Sequence, residues 1–427
     1  MTQDRRPVLE VSSHTVGELV QGSSTVWEDD CLTVSEASLE PLWSGLPGIL
    51  EVRLHVVRPG EPVRLVSVLD AVEPALKTAE PQTTFPGALG TLKPVGAGPT
   101  RRLSGVAVLA TADLRASHEV TALDVVPDGD SLVDMAGPGA AFSHWSATRN
   151  VVLSFRCDPA VRLPDVDRSI RRVTLAFARA LAEEVPAESP PDDVEILSWG
   201  EVSGEMPRVC VVLQVAAEGP LADTYFYGAS LKGAVATVLD PREVLDGALT
   251  AGQYDWAGVR NPTHFYQRSD LLLRLLRAHG SRVDLRGVVL TLAYLPSAFE
   301  KRRMAMMAAK LAQQLGAQGA ILTTFSSGNS HTDTMLTCRA CERLGIGTVM
   351  LVAETNAGLT DHVPEADAIV SVGNEEELVA EWEPAEVIGG DVMLDGQPAR
   401  EPRPLPMVSY LGALSQMGDM CVRAAPA

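Results

Sequence analysis

Aromatic residues and cysteine are scarce in this chain: Phe, Trp and Tyr supply 5% of its 427 residues, and there are six cysteines. Six scattered thiols do not form a disulfide framework. They fit reduced side chains, and a cytoplasmic location is expected. No apolar run approaches the length needed to span a bilayer. The opening Met1-Thr2-Gln3-Asp4-Arg5-Arg6-Pro7 lacks an apolar signal core, so no export is expected. Also missing are a P-loop, an HExxH helix, a GxSxG elbow and a GxGxxG turn. Gly96-Ala97-Gly98 has no third glycine and runs into Pro99, which marks a turn.

What remains is a globular composition, 46% hydrophobic and 21% charged. The formal charge of −20 argues against nucleic acid or an anionic membrane as a main partner. The length exceeds one ordinary core, and two or three domains are expected. Residues 1–150 carry short apolar runs broken by Pro and Gly, the texture of a β-rich domain. Residues 151–285 read as an α/β domain, with strands at 151–155, 194–197 and 209–215 and a helix over 169–182. Residues 286–427 alternate strands (288–294, 320–323, 348–353, 368–371) with helices. Ser297 and Glu300 form a capping box that opens one helix, Gly316 stops it, and a second spans 332–344. That alternation predicts a doubly wound, mostly parallel sheet, and the fold class is α/β.

Ligands of such sheets gather beyond the carboxyl ends of strands. Two loops there stand out, 326–333 and 354–358. His331 and Asp333 suit a base and its orienter, while Asn329 and Asn356 suit oxyanion or carboxylate binding. The competing explanation is that Ser330 or Thr332 caps the helix and His331 is merely solvated. Cys338-Arg339-Ala340-Cys341 is a CxxC, but it falls in mid-helix, away from the N-terminal dipole that would activate its first thiol.

Several segments, in order, resemble one family: Val57-Arg58-Pro59-Gly60-Glu61-Pro62-Val63-Arg64, Phe85-Pro86-Gly87, Asp134-Met135-Ala136-Gly137-Pro138-Gly139-Ala140, Asp223-Thr224-Tyr225, Tyr227-Gly228, Asp246-Gly247-Ala248, Asn261-Pro262-Thr263 and Gly328-Asn329. The family is the proprotein subunit of glycine/sarcosine/betaine reductase component B and D-proline reductase. The resemblance implies self-cleavage at a cysteine within the 252–263 segment, where elimination leaves a pyruvoyl group that serves as electron sink for an amine. Here Gln253 and Tyr254 stand where an Asn-Cys pair is expected. A phenol ring on Cβ offers neither the nucleophile nor the leaving group. Ser, Thr and Cys are all absent from Ala251 to Pro262, with Thr250 and Thr263 flanking, and the nearest cysteine, Cys210, lies upstream in an apolar run. No pyruvoyl cofactor is therefore expected; whether a metal is used stays open.

The resemblance places Asp223, Tyr225, Tyr227 and Gln253 around the reactive centre as substrate-binding residues. It places Tyr254, Asp255 and His264 there as candidates for donor and acid–base work; packing is the alternative for each. It implies an oligomeric reductase-like complex that cleaves a C–N bond of an amine or amino-acid derivative, with a partner subunit supplying a redox thiol or selenol. The rivals are a non-catalytic scaffold within such a complex, or a repurposed lyase or hydrolase using His331 and Asp333 or a bound metal.

Overall fold

The computed structural model describes residues 7–79, 83–114, 131–202, 204–218, 222–253, 257–325, 328–355, 366–393, 396–418 and 423–424, with backbone alone at 222, 253, 423 and 424. In the N-terminal half the apolar runs become strands: β1 (Leu9–Thr15), β2 (Ile49–Val57), β3 (Val68–Val72), β4 (Ala75–Lys77), β5 (Gly98–Ser104), β6 (Val106–Ala112) and β7 (Arg149–Cys157). Helix α1 (Leu163–Glu183) and strand β8 (Asp193–Leu197) follow. The strands form two four-stranded sheets, ordered β8-β1-β5-β4 and β2-β7-β6-β3. Strand β6 is buried at every position, so both its faces are covered. Helix α1 opens at Leu163 with Pro164 in its first turn, earlier than its apolar spacing suggests, because proline suits the first helical turn. It buries Val166, Ile170, Val173, Phe177 and Leu181 on one face, at spacings of three and four, and packs them over β3, β4 and β6.

The C-terminal half is built on β9 (Arg208–Val215), β10 (Ala222–Phe226), β11 (Leu249–Gln253), α2 (Asp270–Ala278), β12 (Asp284–Leu292), α3 (Ala298–Gln314), β13 (Gly319–Thr323), α4 (Gly328–Glu342), β14 (Gly347–Glu354) and β15 (Ala368–Asn374). Its main sheet runs β12-β9-β13-β14-β15 in parallel, with short antiparallel strands Thr237–Leu239 and Arg423–Ala424 at the edges. Relabelled by chain order, the parallel strands stand 2-1-3-4-5, a doubly wound arrangement whose switch point lies between β9 and β13. Helices α3 and α4 pack against each other on one face, as right-handed crossovers in one direction require. Helix α3 opens as expected: Ser297 Oγ accepts from Glu300 N–H and bonds the Glu300 carboxylate, and Gly316 ends it at φ 72°.

Two features differ from the sequence reading. Helix α4 begins at Gly328, so Asn329, Ser330 and His331 lie inside a helix rather than in a loop. The buried Ser330 carbonyl accepts from Gln214 Nε2, which fixes this first turn from outside. The sheets also cross the boundaries drawn at 150 and 285. Strand β7 pairs with β2 and β6, while β9 is central to the C-terminal sheet. Strand pairing takes no account of distance along the chain, whereas a shift in composition is local. One contiguous core runs from Leu9, Val57 and Trp145 to Val211, Leu290 and Met350. No helix is long and apolar enough to cross a membrane, among the described residues.

Candidate functional site

The segment expected to carry cleavage chemistry enters along β11, which pairs antiparallel with β10: Gly252 lies opposite Asp223, and Gln253 opposite Ala222. Gly252 sits under the Tyr225 ring, where a Cβ would come within 2.5 Å of the ring edge, so only glycine fits. The Tyr254 and Asp255 positions, and the side chain of Gln253, lie outside the described residues. The chain resumes as a short 3₁₀ turn, Ala257–Val259, with Gly258 against the Val408 backbone.

Beyond that turn Asn261 and Thr263 are held by neighbouring side chains. Ser415 Oγ donates to Asn261 Oδ1 at 2.6 Å. Thr263 N–H and Oγ1 donate to Asp70 at 2.8 and 2.7 Å, and Thr263 Oγ1 accepts from Ala251 N–H. Burial pushes the Asp70 carboxyl up to about 7, against the hydrogen bonds from Thr263 and Ala71 and the Arg260 charge. The same 412–417 segment reaches the switch point, where Gln416 bonds both N–H and C=O of Thr324, just past β13. Gln214 clamps Phe325 N–H in turn. The C-terminal flank of the 252–263 segment is thus tied to the carboxyl end of the sheet.

Asp223 and Tyr225 open onto a cleft of about 490 Å³, lined also by Arg171, Arg172, Ser230 and Lys232. Ser230 Oγ donates to Asp223 Oδ2 at 2.5 Å and Thr224 N–H to Oδ1 at 2.9 Å. Burial raises the Asp223 carboxyl above its ordinary value despite these donors. Tyr225 Oη donates to Asp167 at 2.7 Å while the Arg171 guanidinium stacks 3.4 Å above its ring. Burial and Asp167 together raise the phenol well above its ordinary value, so it acts as a fixed donor. The sequence reading missed Asp167 and Arg171. Their i,i+4 spacing on a helix was a legible ion-pair signal, but nothing local tied that helix to Tyr225. Tyr227 turns elsewhere: its hydroxyl donates to Glu243 at 2.6 Å and accepts from Val95 N–H.

His264 lies outside this cleft. It lines a second cavity of about 260 Å³ with Glu73, His144, Phe265, Arg268 and Arg277. Its ring is 4.9 Å from that of His144, and burial holds its pKa well below the ordinary value, so the imidazole is neutral near pH 7. Residues placed around one centre by the resemblance therefore divide between two cavities with no shared lining residue.

Asp333 is engaged by Lys301 Nζ at 2.5 Å and by Leu295 N–H at 3.3 Å; burial raises its carboxyl, opposed by Lys301. His331 precedes it by two on α4, a spacing at which helical side chains diverge. Asn329 is exposed, and only its carbonyl contacts Lys301, at 3.4 Å. Asn356 lies outside the described residues. Cys338 and Cys341 are fully buried in α4, and burial pushes the thiols of Cys341 and Cys210 up to about 12. Among the described residues no group of three or more His, Cys, Asp or Glu could hold a metal ion.

The segments that carried the resemblance form structural joints. Gly87 meets the Tyr227 carbonyl so closely that a Cβ would stand 1.9 Å from it, which links Phe85-Pro86-Gly87 to Tyr227-Gly228. Arg64 and Asp134 form a buried bidentate pair at 2.7 and 3.0 Å, and Lys77 pairs with Asp246 at 2.7 Å.

Comparison with known proteins gives one consistent result. A profile of the family described as glycine/sarcosine/betaine reductase component B subunits matches residues 8–399. The chain is 31% identical over 378 residues to the glycine reductase complex component B subunits alpha and beta of Acetoanaerobium sticklandii, covering 86% of this chain and 85% of that protein. It is 30% identical over 402 residues to the betaine reductase complex component B subunit alpha of Peptoclostridium acidaminophilum, covering 90% and 88%. It is 28% identical over 377 residues to the sarcosine reductase complex component B subunit alpha of that organism, covering 86% and 85%. No solved structure matches.

Proposed function

The chain belongs to the family of glycine/sarcosine/betaine reductase component B subunits, and from that membership we propose that it is a subunit of a reductase complex acting on an amine or amino-acid derivative, and that it works as an intact, pyruvoyl-free chain. The observation that carries the reading is the residue content of the former cleavage segment. From Ala251 to Pro262 there is no Ser, Thr or Cys to attack a carbonyl or leave from Cβ. Thr263, beside it, has its hydroxyl committed to Asp70. Cys210 is buried within β9 with its thiol pushed up, which makes it a poor nucleophile.

Without a ketoacyl group the substrate cannot be held as an imine, so the fitting substrates are those that need none. Quaternary, betaine-like amines are the chemically consistent class. The cleft suits such a zwitterion: Arg172 and Lys232 stand at its rim for a carboxylate, and the buried Asp223 carboxylate faces the cationic end. Reductive cleavage would break the C–N bond, place a proton on carbon and release the amine. Two electrons would come from a thiol or selenol of a partner subunit, which is oxidised, as the family resemblance implies. Localisation in the cytoplasm follows from that reduced chemistry.

The test is intact mass, then thiol-dependent consumption of betaine, sarcosine, glycine and D-proline by the chain with its thiol- or selenol-bearing partner. One full-length mass and turnover that drops at least about tenfold in Asp223→Asn support the reading. Two fragments with a borohydride-reducible carbonyl would remove the pyruvoyl-free claim. Unchanged turnover in Asp223→Asn and Tyr225→Phe would reduce the chain to a scaffold.

A further inference from the structure

Two buried polar atoms around the His264 cavity lack a hydrogen bond within the protein: His264 Nδ1 and Glu73 Oε2. Their residues are only 5% and 3% exposed, and leaving such groups unserved costs about 1–3 kcal/mol each. The charges around them do not balance locally. Asp270 is taken by Arg274 at 2.5 Å, and Arg277 is taken bidentately by Glu195 at 2.8 and 3.1 Å. That leaves Glu73 between two guanidiniums, Arg102 and Arg268, each 3.5 Å away and therefore at the outer limit of a hydrogen bond. Arg102 is anchored by the carbonyls of Gln267 and Leu245 at 2.9 and 2.5 Å. Arg268 has no side-chain hydrogen bond among the described residues, and its side chain is 34% exposed. One carboxylate facing two cations leaves a positive excess, although the whole chain carries −20.

The cavity's shape sets the ligand's size. About 260 Å³ holds eight or nine waters at roughly 30 Å³ each, which admits a ligand of up to that many heavy atoms. A simple anion would satisfy Arg268 but would meet Glu73 Oε2, which faces Arg102 at 3.5 Å without a hydrogen bond, with its own lone pairs. An anion that also bears a hydrogen-bond donor would satisfy both.

We propose that this cavity binds a small oxyanion carrying a donor of its own, such as monohydrogen phosphate or a hydroxycarboxylate. Arg268 and the neutral His264 N–H donate to the anion, and Glu73 Oε2 accepts the ligand's proton. Glu73 is thereby the specificity-determining group, because it rejects fully ionised oxyanions. The site shares no lining residue with the Asp223 cleft, so this inference stands or falls apart from the proposed function.

The experiment is titration calorimetry on the full chain at pH 7 and fixed ionic strength, with phosphate, glycolate and sulfate as separate ligands. Saturable one-to-one binding of phosphate or glycolate is expected, and which of the two binds identifies the source. Sulfate, which has no proton at this pH, should bind at least about tenfold more weakly. Arg268→Gln should abolish binding, and Glu73→Gln should narrow the gap between phosphate and sulfate. Far-UV circular dichroism and a melting curve establish that each variant is folded; if Glu73→Gln fails to fold, the wild-type ratio of phosphate to sulfate affinity decides alone. No saturable binding, equal sulfate and phosphate affinity in the wild type, or unchanged binding in Arg268→Gln would overturn the proposal.

Discussion

Asp134 and Glu73 are both buried carboxylates beside arginine, yet they are finished in different ways. Asp134 receives two bonds from Arg64 and a third from Trp382 Nε1 at 2.7 Å, while Arg64 reaches on to the Ala399 carbonyl. Nothing is left over. Glu73 faces Arg102 and Arg268 at 3.5 Å and keeps one oxygen unserved at the edge of a cavity. The first arrangement ties Arg64, beside β3, to Asp134 and, through Ala399 and Trp382, to the C-terminal region. The second gives up bond geometry and retains unsatisfied donors and acceptors. A closed network supplies stability, and an open one can supply recognition.

The contrast breaks most visibly by truncation. Asp134→Ala removes the carboxylate that neutralises the buried Arg64 guanidinium, so a loss of about 3–5 kcal/mol in urea unfolding is expected. A loss below about 1 kcal/mol would show that the pair is not closed as described.

Asp70 is the intermediate case, with both oxygens bonded but no guanidinium bonded to it. Its folded pKa, about 7, stands above the ordinary 3.8, so the folded state holds the proton more tightly than the unfolded one. The resulting contribution is fully present below about pH 4, is lost as pH rises to about 7 and is flat beyond. Its size is at most about 4 kcal/mol, from three pKa steps of about 1.4 kcal/mol each. Unfolding midpoints between pH 5 and 8 should show the slope, and Asp70→Asn should flatten it; an equal slope in the variant assigns it to another group.

Glu73→Gln should be milder than Asp134→Ala, at about 1–3 kcal/mol, because its interactions are longer and Arg102 keeps its two carbonyls. Equal costs for the two substitutions would erase the distinction between closed and open networks.

Local signals were read well where the physics is local. The Ser297–Glu300 cap, the Gly316 stop and the continuous apolar strands of the parallel sheet depend on neighbours within a turn or on burial of both faces. The start of α4 was not legible, because the Gln214 side chain that holds its first turn comes from 116 residues away. The same holds for the Lys301–Asp333 ion pair, which joins α3 to α4. Asp223 and Tyr225, placed together by the resemblance, line one cleft, whereas Arg171 and Asp167, which orient the tyrosine, come from a distant helix.

The sequence by itself determined the family and the absence of Ser, Thr and Cys from residues 251–262, because residue content is a covalent property of the chain. Only the tertiary structure decided that His264 belongs with Glu73 rather than with Asp223. Their neighbourhood is fixed by paired hydrogen bonds between Gln267 and Glu73, 194 residues apart. Contacts of that range follow from how sheets and helices pack, and no pattern within a window of sequence encodes which buried charges will meet.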